Sequence, residues 1–504
     1  MLRKIRTAAA VLAITLVTLL FLDFTGTMTR WFGFMAKVQF LPAVLAFNTA
    51  VVVGLLLVTL LFGRIYCSVI CPLGILQDTV SWISAKRKGK KARFSYSQEK
   101  RNLRYGVLLV FVLLVVAGFT QIALFIAPYS AFGRIAESLL APIWAFGNNV
   151  LAGIAEHFNS YAFYETSVWA KSLIVPVTAI VTLATVGVLA WKNGRTWCNT
   201  ICPVGTVLGF VSQYAIFRPV IDEKACKNCG LCARKCKASA IDFKNGKVDT
   251  SRCVACFDCI DACNAKAISF KNRLTQQKQG KTVNNAQQAV KDETVDTSRR
   301  SFLIGTGLLA AGLAKAQKDK KVDGGLATIL NKKVPVRETP ILPAGSFSAK
   351  HFAQHCTGCQ LCVANCPNGV LRPSSDLGTL MQPHLEYDRG YCRPECTKCS
   401  EVCPAGAIKP ITPAEKSSIQ IGHAVWVKKN CIVLTDNVEC GNCARHCPNG
   451  AIQMVPSDPA NPESHKIPAI NTERCIGCGA CENLCPSRPF SAIYVEGHEV
   501  HKEI

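Results

Sequence analysis

Acidic residues are scarce in this chain. Asp and Glu number 33 against 57 Lys and Arg, which leaves a formal charge of +24 over 504 residues. Such a balance raises the question of nucleic acid, but the positive residues cluster beside apolar runs, which is the pattern of membrane topology. No aromatic–basic pattern for single strands and no paired-His zinc-finger spacing is present, so a nucleic-acid partner is not expected. A Walker loop, a Rossmann glycine fingerprint in a strand–helix context and a nucleophile triad are also missing. What remains open to such a chain is redox chemistry, with any substrate bound in the membrane.

Cysteine, by contrast, is abundant: 28 residues, falling into six quartets and two pairs with none left over. Disulfide scaffolds of that density are small and secreted. Quartets at fixed spacing beside hydrophobic spans read instead as metal ligation.

Residues 1–218 read as a membrane module. Four apolar stretches approach the roughly 20 residues a spanning helix needs: Ala8–Phe24, Phe40–Phe62, Tyr105–Ala127 and Ser172–Trp191. Basic residues crowd the start (Arg3, Lys4, Arg6) and the segment Lys86–Arg104, whereas 25–39 and 128–171 carry few. The positive-inside rule therefore puts both ends of this module in the cytoplasm. The loop 128–171 carries Arg134, Glu137, Glu156, His157 and Glu165. Such groups at a membrane edge suit proton uptake from a quinol, although a solvated amphipathic loop is the plainer reading for each one.

The module is duplicated. Gly63-Arg64-Ile65-Tyr66-Cys67-Ser68-Val69-Ile70-Cys71-Pro72-Leu73-Gly74 matches Gly194-Arg195-Thr196-Trp197-Cys198-Asn199-Thr200-Ile201-Cys202-Pro203-Val204-Gly205. Two hairpins of one orientation imply a parallel repeat that brings Cys67, Cys71, Cys198 and Cys202 together. Pro72 and Pro203 suit the first helical position. A helix N-terminus and a neighbouring Arg favour thiolate, so the four sulfurs are candidates for a further metal or cluster or for redox-active pairs. The stretches Leu73–Ile83 and Val204–Ile216 read as helices lying on the membrane surface.

Residues 219–270 carry Cys226, Cys229, Cys232 and Cys236, then Cys253, Cys256, Cys259 and Cys263, each at x2-x2-x3 spacing. This is two-cluster ferredoxin spacing, in which the fourth cysteine serves the other cluster. Cys226, Cys229, Cys232 and Cys263 are thus expected to hold one [4Fe–4S], and Cys253, Cys256, Cys259 and Cys236 its partner. Lys237 and Asn264 stand where proline commonly follows the fourth cysteine. Residues 271–297 are polar and read as a linker.

At 298–316 a twin arginine, Arg299-Arg300, precedes an apolar run rich in Gly and Ala and the small-residue site Ala314-Lys315-Ala316. That order is the pattern of a twin-arginine export signal; uncleaved, it would serve as a fifth span. A second linker, 317–350, leads to residues 351–504 and four more quartets. These are Cys356, Cys359, Cys362 and Cys366; Cys392, Cys396, Cys399 and Cys403; Cys431, Cys440, Cys443 and Cys447; and Cys475, Cys478, Cys481 and Cys485. Spacing leaves open whether neighbouring quartets exchange fourth cysteines or the outer two and the inner two do. His351, His355, His423 and His446 lie near the motifs and read as surface residues, since each quartet is complete. The fold class expected is a membrane α-helical bundle of four spans, or five, bearing α+β ferredoxin-like domains with six [4Fe–4S] clusters.

The first 270 residues resemble the NapH-type membrane ferredoxins, on the four spans, the paired C-x3-C-P motifs and the two quartets that follow. From Ser298 onward the chain resembles the NapG/MauM-type exported ferredoxins, on the twin-arginine leader and four quartets. The two parts are usually separate chains and are fused here. The resemblance implies a quinol-dehydrogenase module of the bacterial inner membrane, multi-pass, with 219–297 cytoplasmic and 317–504 periplasmic. Its partners would be the membrane quinol pool and a periplasmic cytochrome c or terminal reductase. The membrane half is also similar to the nitrous-oxide reductase regulators, which implies an alternative, an electron-donating maturation or activation factor for a metalloenzyme. A third reading is a cytoplasmic ferredoxin array docked to a membrane dehydrogenase.

Overall fold

The protein begins with one long helix, Leu2–Leu22, and both ferredoxin-like regions are built against it. A computed structural model describes residues 1–23, 25–88, 94–160, 163–166, 171–272 and 330–504. Arg299, Arg300 and the apolar run after them lie outside the described residues. Met1–Asn272 and Lys332–Ile504 form one unit. Residues 332–350, read above as the end of a linker, already belong to it: Ile341, Leu342 and Ala344 are buried.

Near its start, the Leu2–Leu22 helix pairs Arg3 with Asp258 (2.9 Å) and Asp261 (3.4 Å) of the first ferredoxin region. At its far end the Leu20 carbonyl accepts from the Asn365 amide at 3.1 Å, inside the second ferredoxin region. Asp23 follows the helix and accepts backbone N–H bonds from Thr25, Gly26 and Thr29 at 3.1, 2.8 and 2.9 Å. Those bonds hold its carboxyl below the usual carboxylate range against the opposing effect of burial. A helix of 21 residues is about 30 Å long at 1.5 Å per residue, so the two regions meet ends of one helix separated by about the thickness of a bilayer core.

Among the described residues three helices are long and apolar enough to cross a membrane: Leu2–Leu22, Pro128–His157 and Ile174–Asn193. Two of the four expected spans are broken. Phe40–Phe62 divides into Phe40–Leu45 and Thr49–Phe62, because Phe47 turns left-handed (φ 52°) and the Asn48 side chain caps the Val51 N–H. Tyr105–Ala127 is helical to Val116 in the helix Arg101–Val116 and then stops at Gly118 (φ 85°). Pro128–His157, expected as a solvated loop, is a 30-residue apolar helix. The stretches after Cys71 and Cys202 do begin helices at Pro72 and Pro203, and each has a buried face as well as exposed apolar side chains, Trp82 and Ile83 on one and Phe210 on the other. Leu73, Ile75, Gln77, Asp78, Ser81 and Ser84 of one, and Val204, Thr206, Leu208 and Ser212 of the other, are buried.

The ferredoxin regions are made of two-stranded antiparallel sheets. Phe217–Ile221 pairs with Ile268–Asn272 to close the first region, with Ile221 opposite Ile268. In the second, Ile419–Trp426 pairs with Ile493–Glu503, and Ile452–Asp458 with Asn461–Ile470. Isolated two-stranded ribbons are marginal in water. Their small cores are completed by cysteines, which sit in the same buried clusters as Ile421, Val433, Ile452 and Val495.

Candidate redox centres

Four cavities are each lined by four cysteines, and in every one the fourth comes from a neighbouring quartet. Cys253, Cys256 and Cys259 meet Cys236. Cys356, Cys359 and Cys362 meet Cys403, and Cys392, Cys396 and Cys399 meet Cys366. Cys475, Cys478 and Cys481 meet Cys447, while Cys443 faces Cys440 and Cys485. Neighbouring quartets therefore exchange their fourth cysteines, as the spacing predicts for Cys236 in the first region and leaves open for the four quartets of the second.

The linings suit a cluster. A cube presents an iron at each of four corners, and each cavity supplies four thiols. Backbone N–H groups of Ala240, Ala451 and Ala492 point at Cys236, Cys447 and Cys485 Sγ at 3.5, 3.2 and 3.3 Å, the hydrogen bonds that tune cluster sulfur. Burial pushes the Cys236 and Cys253 thiols up to about 11 and Cys256 up to about 12. Such a shift favours the protonated thiol, and bound iron would take the place of the proton and hold these groups as thiolates.

The cavities follow one another. The Cys392 N–H donates to the Cys478 carbonyl at 2.9 Å, joining the 392 and 475 sets. Between them lies Tyr387, fully buried, its hydroxyl donating to the Gly477 carbonyl at 2.7 Å. At the other extreme Cys359 packs with Val17, Leu20, Phe21 and Tyr129 of the apolar helices.

Cys67, Cys71, Cys198 and Cys202 do come together, each buried and near enough to feel the others' charge. In both copies of the repeat a glycine makes the turn possible: a Cβ at Gly74 or Gly205 would collide with the carbonyl of Cys67 or Cys198. Burial opposes the thiolate form that the helix N-termini and arginines favour. Burial outweighs Arg64 and Arg195 and pushes Cys67 up to about 11, with Cys71 and Cys202 also raised. Sulfur acceptance is nonetheless built in. Gln77 Nε2 donates to Cys198 Sγ at 3.1 Å and the Gly205 N–H to Cys202 Sγ at 3.4 Å. Arg64 is fully buried, and its hydrogen bonds go to the carbonyls of Gly205, Arg252 and Cys253 and to the Asn199 amide. None of these is a carboxylate. A buried guanidinium so placed needs a counter-charge, and the nearby sulfurs of Cys67, Cys198 and Cys253 supply one when metal-bound.

Comparison with known proteins agrees with these cages. A family model described as a 4Fe-4S binding domain matches residues 45–91 and 174–221, which hold the four buried thiols of the repeat. A second, a 4Fe-4S dicluster domain, matches 355–407 and 438–488. The methylamine utilization ferredoxin-type protein MauM of Methylobacillus flagellatus is 30% identical over 174 residues, 32% of this chain and 70% of that protein. The chain belongs to the Nap/Mau family of ferredoxin-type proteins. Within that family the ferredoxin-type protein NapF of Escherichia coli is 29% identical over 181 residues, 35% of this chain and 99% of NapF. NapH of Haemophilus influenzae is 24% identical over 202 residues, 40% of this chain and 56% of NapH. No solved structure matches the chain.

Several residues that serve the ferredoxin-type centres escaped sequence reasoning. Lys416 donates to Cys392 Sγ at 3.2 Å and to the Arg393 carbonyl at 2.6 Å, from a helix started by a Thr412–Glu415 capping box. Asp78 accepts from Arg195 (2.8 Å) and Arg6 (2.9 Å), with Lys237 at 3.5 Å. The five loop groups singled out above separate. Arg134 and Glu137 are buried, and Lys171 bridges Glu137 (3.2 Å) to the Val363 carbonyl (3.0 Å) of the second region. Glu156, His157 and Glu165 are exposed. Beside Cys359, the Tyr129 hydroxyl and Arg134 Nε are buried without a hydrogen-bond partner among the described residues. His351 stacks on His355 at 4.2 Å, and neither lines a cysteine cage.

Proposed function

We propose that this protein is a membrane-anchored iron–sulfur conductor that oxidises membrane quinol and passes electrons to an extracytoplasmic cytochrome c or reductase. The observation that carries the reading is the Leu2–Leu22 helix, tied to one ferredoxin region near its start and to the other at its end. Six [4Fe–4S] clusters would be held by Cys226, Cys229, Cys232 with Cys263; Cys253, Cys256, Cys259 with Cys236; Cys356, Cys359, Cys362 with Cys403; Cys392, Cys396, Cys399 with Cys366; Cys431, Cys440, Cys443 with Cys485; and Cys475, Cys478, Cys481 with Cys447. The buried thiols Cys67, Cys71, Cys198 and Cys202 would hold a further centre between the two regions. Bound there, the clusters supply one-electron redox chemistry.

The chain's own residues do the rest. They exclude water from the cages, direct N–H groups and Lys416 at sulfur, and place Tyr129 and Arg134 beside Cys359, where a quinol giving up protons meets polar groups. The test uses the full chain in nanodiscs with a reduced quinol analogue. Reduction of the clusters, read by electron paramagnetic resonance at a respiratory rate, is the expected result. Clusters that dithionite reduces but quinol does not would refute quinol oxidation and favour a maturation role.

A further inference from the structure

Of the 28 cysteines, Cys229 alone is exposed; the rest are buried or partly so. It belongs to the set Cys226, Cys229, Cys232 and Cys263, at the outer edge of the first ferredoxin region. The turn that carries it is held by Arg234, which donates to the Cys229 and Gly230 carbonyls, and by the Phe243 ring, which would lie 3.3 Å from a Cβ on Gly230. The exposure is therefore part of a fixed turn, held from both sides.

The surroundings are basic. Lys224, Lys227, Lys235, Lys244, Lys247 and Lys266 are exposed. Lys227 lies inside the Cys226–Cys229 turn, Lys235 ends the helix Leu231–Lys235, and the Lys266 N–H donates to the Cys263 carbonyl at 3.0 Å. Lys244 and Lys247 come from the hairpin whose Phe243 covers Gly230. Opposing them, Asp222 and Glu223 are exposed, and Asp261 is taken by Arg3. The rim around the one exposed cysteine is thus positive.

We propose that this edge is a docking port for an acidic one-electron carrier protein. It rests on the reading that these cysteines hold a cluster. In the encounter the reduced carrier loses one electron and the cluster gains it, and no bond is made or broken. The port lies at the opposite end of the Leu2–Leu22 helix from Cys359, so it gives the chain a second point of electron entry, independent of quinol. Charge complementarity commits the partner: a positive rim on a redox edge speeds encounter with a negative protein and repels a positive one.

The test measures association of an oxidised acidic [2Fe–2S] ferredoxin, as probe, with the full chain in zwitterionic nanodiscs, so that no turnover is needed. For the native chain the association rate is expected to fall steeply with added salt. Replacing Lys224→Glu, Lys227→Glu and Lys235→Glu together is expected to lower it by about 10-fold or more, while Lys→Arg at the same positions retains it. Lys→Gln at these sites serves if the Glu variant fails to assemble. Quinol-driven reduction is expected to be unchanged in the variants, which separates failure of the port from failure of quinol oxidation. A salt-independent rate in the native chain, or an unchanged rate in the Glu or Gln variants, overturns the proposal. So does an effect of the variants seen only as weaker association with anionic-lipid vesicles, which would assign the lysines to the membrane surface.

Discussion

Lys237 occupies the place after the fourth cysteine of its quartet where proline commonly stands, and the structure gives the reason. Its carbonyl accepts from the Arg195 N–H at 2.8 Å, and its ammonium lies 2.9 Å from Asp258 and 3.5 Å from Asp78. A proline would keep the carbonyl and lose the ammonium that ties the first ferredoxin region to the helix Pro72–Lys88. Asp78 is the hub of that tie, and Arg195 and Lys237 hold its carboxyl well below the usual range against the opposing effect of burial. Asp78→Asn leaves buried cations unmatched and is expected to cost about 3–5 kcal/mol, read as loss of folded, cluster-loaded chain. Lys416→Met removes a cation from Cys392 Sγ; the midpoint potential of that cluster is expected to fall by on the order of 50 mV, equivalent to about 1 kcal/mol, in a redox titration. His501 shows the opposite electrostatics. Burial and the neighbouring His498 push it down to about 4, and His423 and Lys502 press on His498 in turn. A depressed imidazole favours the neutral form in the fold. Its contribution is complete above the ordinary value near 6.5 and is lost as pH falls from there toward 4. The thermal midpoint is expected to drop across that window, and His501→Gln to flatten the drop.

At the scale of elements, the twelve-residue repeat was legible because proline, glycine and cysteine recur at the same offsets, and these residues have backbone consequences. Pro72 and Pro203 begin helices as expected. What those helices pack against was not legible. In lipid, apolar side chains gain little by leaving the bilayer for a protein interior, so an apolar stretch looks the same whether buried or on the surface. Gly74→Ala and Gly205→Ala, where a Cβ would strike the Cys67 and Cys198 carbonyls, are expected to disrupt the four-thiol site. The measurement is loss of any iron beyond six clusters while the ferredoxin clusters remain. Quartet pairing is a second element-scale result. Cys366→Ser is expected to impair the cluster of Cys392, Cys396 and Cys399 and to spare that of Cys356, Cys359 and Cys362. The electron paramagnetic resonance signals distinguish the two outcomes.

Across the whole molecule, the Leu2–Leu22 helix has basic residues at its start and Asp23 after its end, and each end holds a different ferredoxin region. On the proposed reading, a bilayer around the helix would leave the C-terminal region outside the cytoplasm. A reporter active only outside, fused after Ile504, is expected to be active and to be silenced by Arg299→Lys with Arg300→Lys. A silent fusion in the native chain would place all the clusters in the cytoplasm. Ligand spacing and apolar stretches depend on residues close together in the chain, so the sequence by itself determined that this is a cysteine-quartet ferredoxin with apolar helices and a duplicated thiol motif. Contacts between distant residues decided the rest. Cys447 reaches the 475 set, Lys416 reaches Cys392, and Lys237 reaches Asp78. These partners are chosen by how the chain folds back on itself, and no local pattern encodes that return.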